Sequence, residues 1–261
     1  MLSEKLLELF CLHPNKVAKQ DHNIETTDLK LAGNELSLLK KESPNLIDAL
    51  RGMRVVDFGC GHGAQSVALR VDADAYVLGL DTNEKAIALA NKLKDKVVGS
   101  DSKLVFSAKV EKEFLSSFDV VISQNAMEHY PDPLGALRSM RELLRPGGKA
   151  FITFGPPWFA PYGSHMHYFC KLPWVNVLFP EKTVMNVRKN YRSDGAMKYE
   201  DVESGLNKMS VEKFKKIVRE SGFLEECTVL RRVKGIDAFG KLPLFKEMLV
   251  NGVTSTLTNP G

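Results

Sequence analysis

Arg54-Val55-Val56-Asp57-Phe58-Gly59-Cys60-Gly61-His62-Gly63 is the stretch on which the fold turns. A short apolar run closed by glycines reads as a buried strand running into a tight loop. A helix is predicted next, over Gln65–Arg70. Outward from there the same unit repeats. Tyr76–Leu80 is a second strand ending at Asp81, and Glu84–Leu93 carries alanines and a leucine at helical spacing. Leu104–Phe106, Asp119–Ser123 and Lys149–Phe154 read as three further strands. A helix over Leu134–Leu144 stops at the breaker Arg145-Pro146-Gly147-Gly148. Strands this short and apolar, alternating with helices, belong to a mostly parallel sheet covered on both faces, an α/β Rossmann-like fold.

Ligands of such sheets bind at the carboxyl ends of the strands. The glycine loop, Asp81 and Ser123-Gln124-Asn125 all fall at such ends. The glycine spacing is G-x-G-x-G with an acid, Asp57, two residues before the first glycine. In a dinucleotide site the loop amides and a helix N-terminus meet a pyrophosphate, and an aspartate there is poorly placed. It is well placed to balance an ammonium or a sulfonium, and S-adenosylmethionine carries both without a phosphate. Asp81 can accept bonds from both hydroxyls of a ribose, a need shared by nicotinamide cofactors.

As a set, these residues resemble the class I S-adenosylmethionine-dependent methyltransferases, with a core like that of the quinone-pathway O-methyltransferases. Val55–Gly63 resembles their first motif and Gly79-Leu80-Asp81 their acidic second motif. Phe118–Ser123, Glu128–Pro133 and Leu144–Gly148 resemble the later landmarks, so the match spans residues 53–154. The resemblance implies a seven-stranded sheet of order 3-2-1-4-5-7-6 with the seventh strand antiparallel. It implies S-adenosyl-L-methionine as cofactor, with Asp57 holding the methionine amino group directly or through water. Gly59, Cys60 and Gly61 would let the backbone approach, Asp81 would bind the ribose, Thr82 would flank the adenine and Gln124 would line the cofactor. Many relatives carry an acid for the adenine amino group after the third strand. Ser107-Ala108-Lys109-Val110 stands there, which leaves the backbone around Ala108 for that contact.

Methyl transfer needs position, a dry pocket and, where the acceptor loses a proton, a base. The Asn-Pro-Pro-Tyr motif of adenine and glutamine N-methyltransferases is absent, and Ser123-Gln124-Asn125-Ala126 occupies its place. Asn125–His129 resembles the matching stretch of the quinone-pathway enzymes. Those have a second acid where Asn125 stands and can hold a divalent ion, so no metal is expected here. Two bases are candidates: His129, whose other reading is a helix-start residue bonded to backbone, and His165. His165-Met166-His167 on an extended segment would face one way. Trp158, Phe159, Tyr162 and Trp174 could line an apolar pocket or form a small core of their own. The acceptor expected is a small molecule, with an O-directed transfer. An NAD(P)-dependent oxidoreductase, a non-catalytic methyltransferase-like binding module and an RNA or protein methyltransferase stay open as alternatives.

The chain of 261 residues divides on this reading into four parts. Residues 1–50 are a helical segment with apolar stripes at Leu6, Leu7, Phe10 and Leu12 and at Leu36, Leu39, Leu46 and Leu50. Residues 51–154 are the cofactor-binding core, and 155–209, with both tryptophans and five prolines, are an inserted substrate cap. Residues 210–261 complete the core: Ser210 as N-cap, a helix over Val211–Arg219, a strand over Phe223–Val233, a short helix over Leu244–Leu249 and a strand over Val253–Leu257.

The formal net charge of +4 is spread along the chain, which speaks against a nucleic-acid patch. The densest basic run, Arg188-Lys189-Asn190-Tyr191-Arg192, reads as a solvated face. Cys11, Cys60, Cys170 and Cys227 contain no C-x-x-C pair, and so few cysteines point to a reducing cytoplasm rather than a disulfide scaffold. No apolar run reaches the roughly 20 residues that span a bilayer. The oligomeric state is not legible.

Overall fold

The computed structural model describes residues 2–17, 45–202, 205–233 and 246–261. A seven-stranded sheet runs in the order β3-β2-β1-β4-β5-β7-β6. Its strands are β1 (Arg54–Phe58), β2 (Tyr76–Leu80), β3 (Leu104–Ser107), β4 (Phe118–Gln124), β5 (Leu144–Phe154), β6 (Leu224–Arg232) and β7 (Val250–Thr258). The first five pair parallel, and β7 runs antiparallel between β5 and β6, as the resemblance implied.

The helices are α1 (Leu2–Glu8), α2 (Leu46–Ala49), α3 (Ala64–Ala73), α4 (Glu84–Val97), α5 (Pro133–Leu143), α6 (Val175–Leu178), α7 (Glu181–Arg188) and α8 (Val211–Ser221). Local chemistry sets their starts. Asn83 accepts from the amides of Lys85 and Ala86 at the head of α4. Asp132 accepts from Gly135 N at 2.9 Å above Pro133, and Ser210 accepts from Lys213 N at 3.1 Å. Each such cap is worth ~1 kcal/mol. Gly222, left-handed with φ 83°, ends α8.

Two apolar layers sandwich the sheet. One holds α5 and α8 against Val56, Val121, Ile152 and Val253, and the other holds α2 and α3 against Val55, Val77 and Ile122. Central strands buried on both faces explain why β1 and β4 read as continuous apolar runs.

Four details depart from the expected elements. The turn Arg145–Gly148 bulges within β5, because Phe118 pairs with Leu144 and the next match is Val120 with Lys149. Of the predicted helix at 244–249, residues 246–249 form a turn, and Leu244 lies outside the described residues. The N-terminal segment is helical at Leu2–Glu8 and Leu46–Ala49, while the stripe residues Leu36 and Leu39 lie outside the described residues. The basic run is not wholly solvated. Arg188 is 4 % exposed and makes a two-pronged pair with Asp194, and Arg192 lies over the Tyr168 ring at 4.5 Å.

The cap has a third core of its own, built from Met166, Phe169, Val184, Met185 and Tyr199, and Leu7 of α1 is buried within it. Asn186 donates to Glu4 at 2.8 Å and Tyr191 donates to Leu12 O at 2.7 Å. The N-terminal helix therefore packs on the cap.

Candidate active site

The loop after β1 is closed by its own neighbours. The amides of Gly59 and Cys60 both donate to Leu80 O, Gly61 N donates to Asp81 Oδ2 at 2.9 Å, and Gly63 N donates to Cys60 O. Gly59 and Gly61 sit at φ 80° and 51°, conformations that disfavour a side chain. A Cβ at Gly59 would lie 2.6 Å from the Tyr130 hydroxyl, whereas one at Gly61 would meet nothing within 4 Å. The loop thus rests on Tyr130 below and is open at Gly61 above.

Four loop amides spent inside the protein are four that no pyrophosphate can use, which argues against the dinucleotide alternative. Asp81, partly exposed at the end of β2, also accepts from Asn83 N at 2.8 Å, and each of its oxygens keeps a lone pair for a further donor.

Asp57 lies below this rim. It is 2 % exposed, and its carboxylate accepts from Gln65 Nε2 at 2.6 Å and Ser66 Oγ at 2.5 Å, both on α3. Gln65 in turn accepts from Gln124 Nε2 at the end of β4. The chain Gln124–Gln65–Asp57 links the ends of β4 and β1 under the loop. Thr82 is exposed beside Asp81, and Ala108 follows β3 in a turn closed by Ser107 and Lys109. Cys60 is buried, and burial followed by the charges of Asp57 and Asp81 pushes its thiol up, so it is a small inert filler.

Residues 56–152 match the family model described as a methyltransferase domain. The chain is 33% identical over 105 residues to a ubiquinone biosynthesis O-methyltransferase of Pseudomonas aeruginosa (strain LESB58), covering 40% of this chain and 45% of that protein. It is 37% identical over 106 residues to the protein of that description from Ralstonia nicotianae, covering 40% and 44%. The chain spans under half the length of these curated relatives. An S-adenosylmethionine-dependent methyltransferase from Mesorhizobium loti shares the fold, with a TM-score of 0.55 at 22% identity over 88% of this chain and 100% of that one. Residues 56–152 thus match a methyltransferase domain, and the sheet has the fold of solved S-adenosylmethionine-dependent methyltransferases.

The cradle fits S-adenosylmethionine in its donor chemistry. Carboxylates at Asp57 and Asp81 flank a loop with no spare anion-binding amide among those four, and the open side at Gly61 leaves room for close approach.

A second group of polar side chains lies where the cap meets the ends of β4 and β5. Glu128, 3 % exposed, accepts from Gly155 N at 3.2 Å through Oε1, while its buried Oε2 has no partner among the described residues. Burial raises its pKa. His129 bonds through Nδ1 to Gly205 O at 2.7 Å, and its ring meets that of His165 edge-on with centroids 5.5 Å apart. His129 sits in a turn, four residues before α5 begins.

His165 is held by a bond to the Pro156 carbonyl, and its Nε2 is buried without a partner among the described residues. A ring nitrogen facing a carbonyl must carry the proton. The bonded nitrogen is therefore Nδ1–H, and Nε2 presents a lone pair. Burial, then the charges of His129 and His167, push the ring down to about 4, so it is neutral at ordinary pH.

The expected pairing of His165 with His167 is not found. Residues Met166–Tyr168 form a 3-10 turn rather than an extended segment, and this turns His167 out to solvent against Tyr162. The four aromatics of the cap do not converge on one pocket either. Trp158 packs against Tyr199 in the cap core with centroids 4.8 Å apart, while Phe159 and Tyr162 are exposed. Among the described residues no group of three or more His, Cys, Asp or Glu could hold a metal ion, and no helix is long and apolar enough to cross a membrane.

Sequence reasoning missed Gln65, Ser66 and Tyr130. The spacing from Asp57 to Gln65 and Ser66 places them in the first turn of a helix after a glycine loop, and that signal could have found them. Tyr130 donates to Phe58 O at 2.9 Å and meets Ser123 Oγ at 2.9 Å across the strand ends, a contact no local pattern announces.

Proposed function

We propose that the chain transfers a methyl group from S-adenosylmethionine to an oxygen of a small-molecule acceptor bound between the cap and the ends of β4 and β5. The observation that carries this reading is the buried, unpartnered, neutral Nε2 of His165 beside His129. The cofactor, when bound, supplies an electrophilic methyl on a sulfonium. Asp81 takes the ribose hydroxyls, Gly59, Cys60 and Gly61 pass the backbone close by, Thr82 and the backbone at Ala108 flank the adenine, and Gln124 lines the methionine end. Asp57, already engaged by α3, acts by fixing Gln65 and by its charge. His165 takes the proton that the acceptor hydroxyl gives up, and His129 fixes the ring edge-on.

An imidazole pushed this low is a weak base, so it suits an acidic hydroxyl of the phenol type better than an aliphatic alcohol. The description of the curated relatives as ubiquinone biosynthesis O-methyltransferases supports the same direction.

Calorimetric titration with S-adenosylmethionine, and separately with NADH, tests the cofactor half. Binding of the first alone is expected. Asp81→Ala should then weaken it about ten-fold or more, since two ribose hydrogen bonds at ~1 kcal/mol each are lost. Unchanged affinity in that variant would remove Asp81 from the site. Labelled methyl transfer onto a panel of phenols, alcohols and amines tests the acceptor half, and transfer to amines alone would overturn the oxygen assignment.

A further inference from the structure

The four cysteines look scattered along the sequence, but two of them face each other in the structure. Cys11 and Cys170 form an isolated antiparallel β-bridge between the N-terminal segment and the cap. The flanking bonds run from Leu12 N to Phe169 O at 2.8 Å and from Lys171 N to Phe10 O at 3.2 Å. Those bonds lie one residue outside the pair on each side, which makes it the wide, non-hydrogen-bonded type. Partners in such a pair have Cα atoms about 4.5 Å apart and side chains on the same side of the ladder. A disulfide needs Cα atoms about 4.4–6.8 Å apart, so the backbone already holds the spacing the bond requires.

The surroundings are suited to a two-step closure. Cys11 is partly exposed and Cys170 is 1 % exposed in the cap core. The two sulfurs interact, and this contact pulls the Cys170 thiol down to about 7 while it pushes the Cys11 thiol well up, so the pair shares one proton and the thiolate character lies on Cys170. Cys60 is buried in the glycine loop and Cys227 is exposed on β6, both outside this bridge.

We propose that Cys11 and Cys170 are a thiol oxidation site, closing to a disulfide that ties the N-terminal segment to the cap. With hydrogen peroxide as oxidant, one of the two sulfurs takes one peroxide oxygen to become a sulfenic acid, and water leaves. The other sulfur then attacks that sulfur, the S–S bond forms and a second water leaves. Two thiols are oxidised and one peroxide is reduced to two waters. A dithiol reductant reverses the bond.

The test uses the full chain, reduced, freed of reductant, treated with hydrogen peroxide, then unfolded in acidified denaturant and alkylated with N-ethylmaleimide. Peptide mass analysis without reduction should show one cross-linked species joining the Cys11 and Cys170 peptides, lost on adding dithiothreitol, with Cys60 alkylated. The oxidised chain should melt several degrees higher than the reduced one, and Cys11→Ser, at the partly exposed position, should abolish that rise while keeping the fold. Full alkylation of Cys11 and Cys170 after peroxide, or a disulfide joining any other pair or two chains, would overturn the assignment.

Discussion

Asp57 and the Nε2 of His165 are both buried near the ends of the central strands, and they are satisfied in opposite ways. Asp57 is bonded on both oxygens by partners eight and nine residues away on the helix that its own loop begins. His165 and Glu128 each keep a buried polar atom open, and the contacts around them come from far along the chain: Gly155 lies 27 residues from Glu128 and Gly205 lies 76 from His129. A buried polar atom with no partner costs ~1–3 kcal/mol. Water or a ligand can supply such a partner. The strand edge thus holds its own shape, and the cap junction offers open polar atoms to a bound acceptor on the function proposed above.

Replacing His165 separates the two regions most strongly. His165→Ala should lower kcat about 10²–10⁴-fold, the range of a lost general base, while the affinity for S-adenosylmethionine stays within two-fold or so. Steady-state kinetics paired with calorimetry reads both numbers. A fall in cofactor affinity as large as the fall in kcat would merge the two sites.

Leu7→Ala probes whether the cap is a unit of its own. Leu7 is 0 % exposed in the cap core, far from the sheet, and the truncation should cost about 2–5 kcal/mol. If the cap unfolds separately, heating should reveal a lower transition that shifts in the variant while the core transition stays. One transition that shifts as a whole would make cap and core a single cooperative block.

The open state of His165 also has a pH signature. Its folded pKa, about 4, lies below the ordinary 6.5, so the unfolded chain takes up a proton that the folded chain refuses. Stability from this group is whole above pH 6.5 and is lost as pH falls toward 4, by up to about 3 kcal/mol. Glu128, whose pKa is raised, works with the opposite sign at higher pH. Comparing urea unfolding of the parent with His165→Gln between pH 7 and pH 4.5 isolates the histidine. An equal decline in both would show that the ring is not held neutral by the fold.

The same contrast explains what the sequence made legible. At the strand edge Asp57, the glycines and Asp81 stand close together in sequence and announce it in their spacing, and β1 and β2 are readable to the residue, whereas the bonds that Gln124 and Tyr130 bring to that edge from 59 and 72 residues away are not. The junction is assembled by chain crossings. Nothing around His165 tells that Met166–Tyr168 coils rather than extends, and that decision sends His165 inward and His167 outward. Similarly, Leu7 reads as an amphipathic residue in search of a surface, but that the surface is the cap depends on tertiary packing alone.

The glycine loop allows the smallest and sharpest test. Gly59→Ala would place a methyl 2.6 Å from the Tyr130 hydroxyl at a φ of 80°, so the loop must shift and both stability and cofactor affinity should fall. Adding Tyr130→Phe removes the clashing oxygen and should restore part of each. Gly61→Ala meets no atom within 4 Å, and its φ of 51° is within the left-handed region an alanine reaches for about 1 kcal/mol. Its stability loss should stay near that value, yet the new methyl occupies the open side where the backbone would approach the cofactor. Affinity for S-adenosylmethionine should therefore drop further than stability does. If Gly61→Ala instead binds as tightly as the parent, the open side of the loop is not the cofactor's face, and the site must be placed elsewhere along the strand ends.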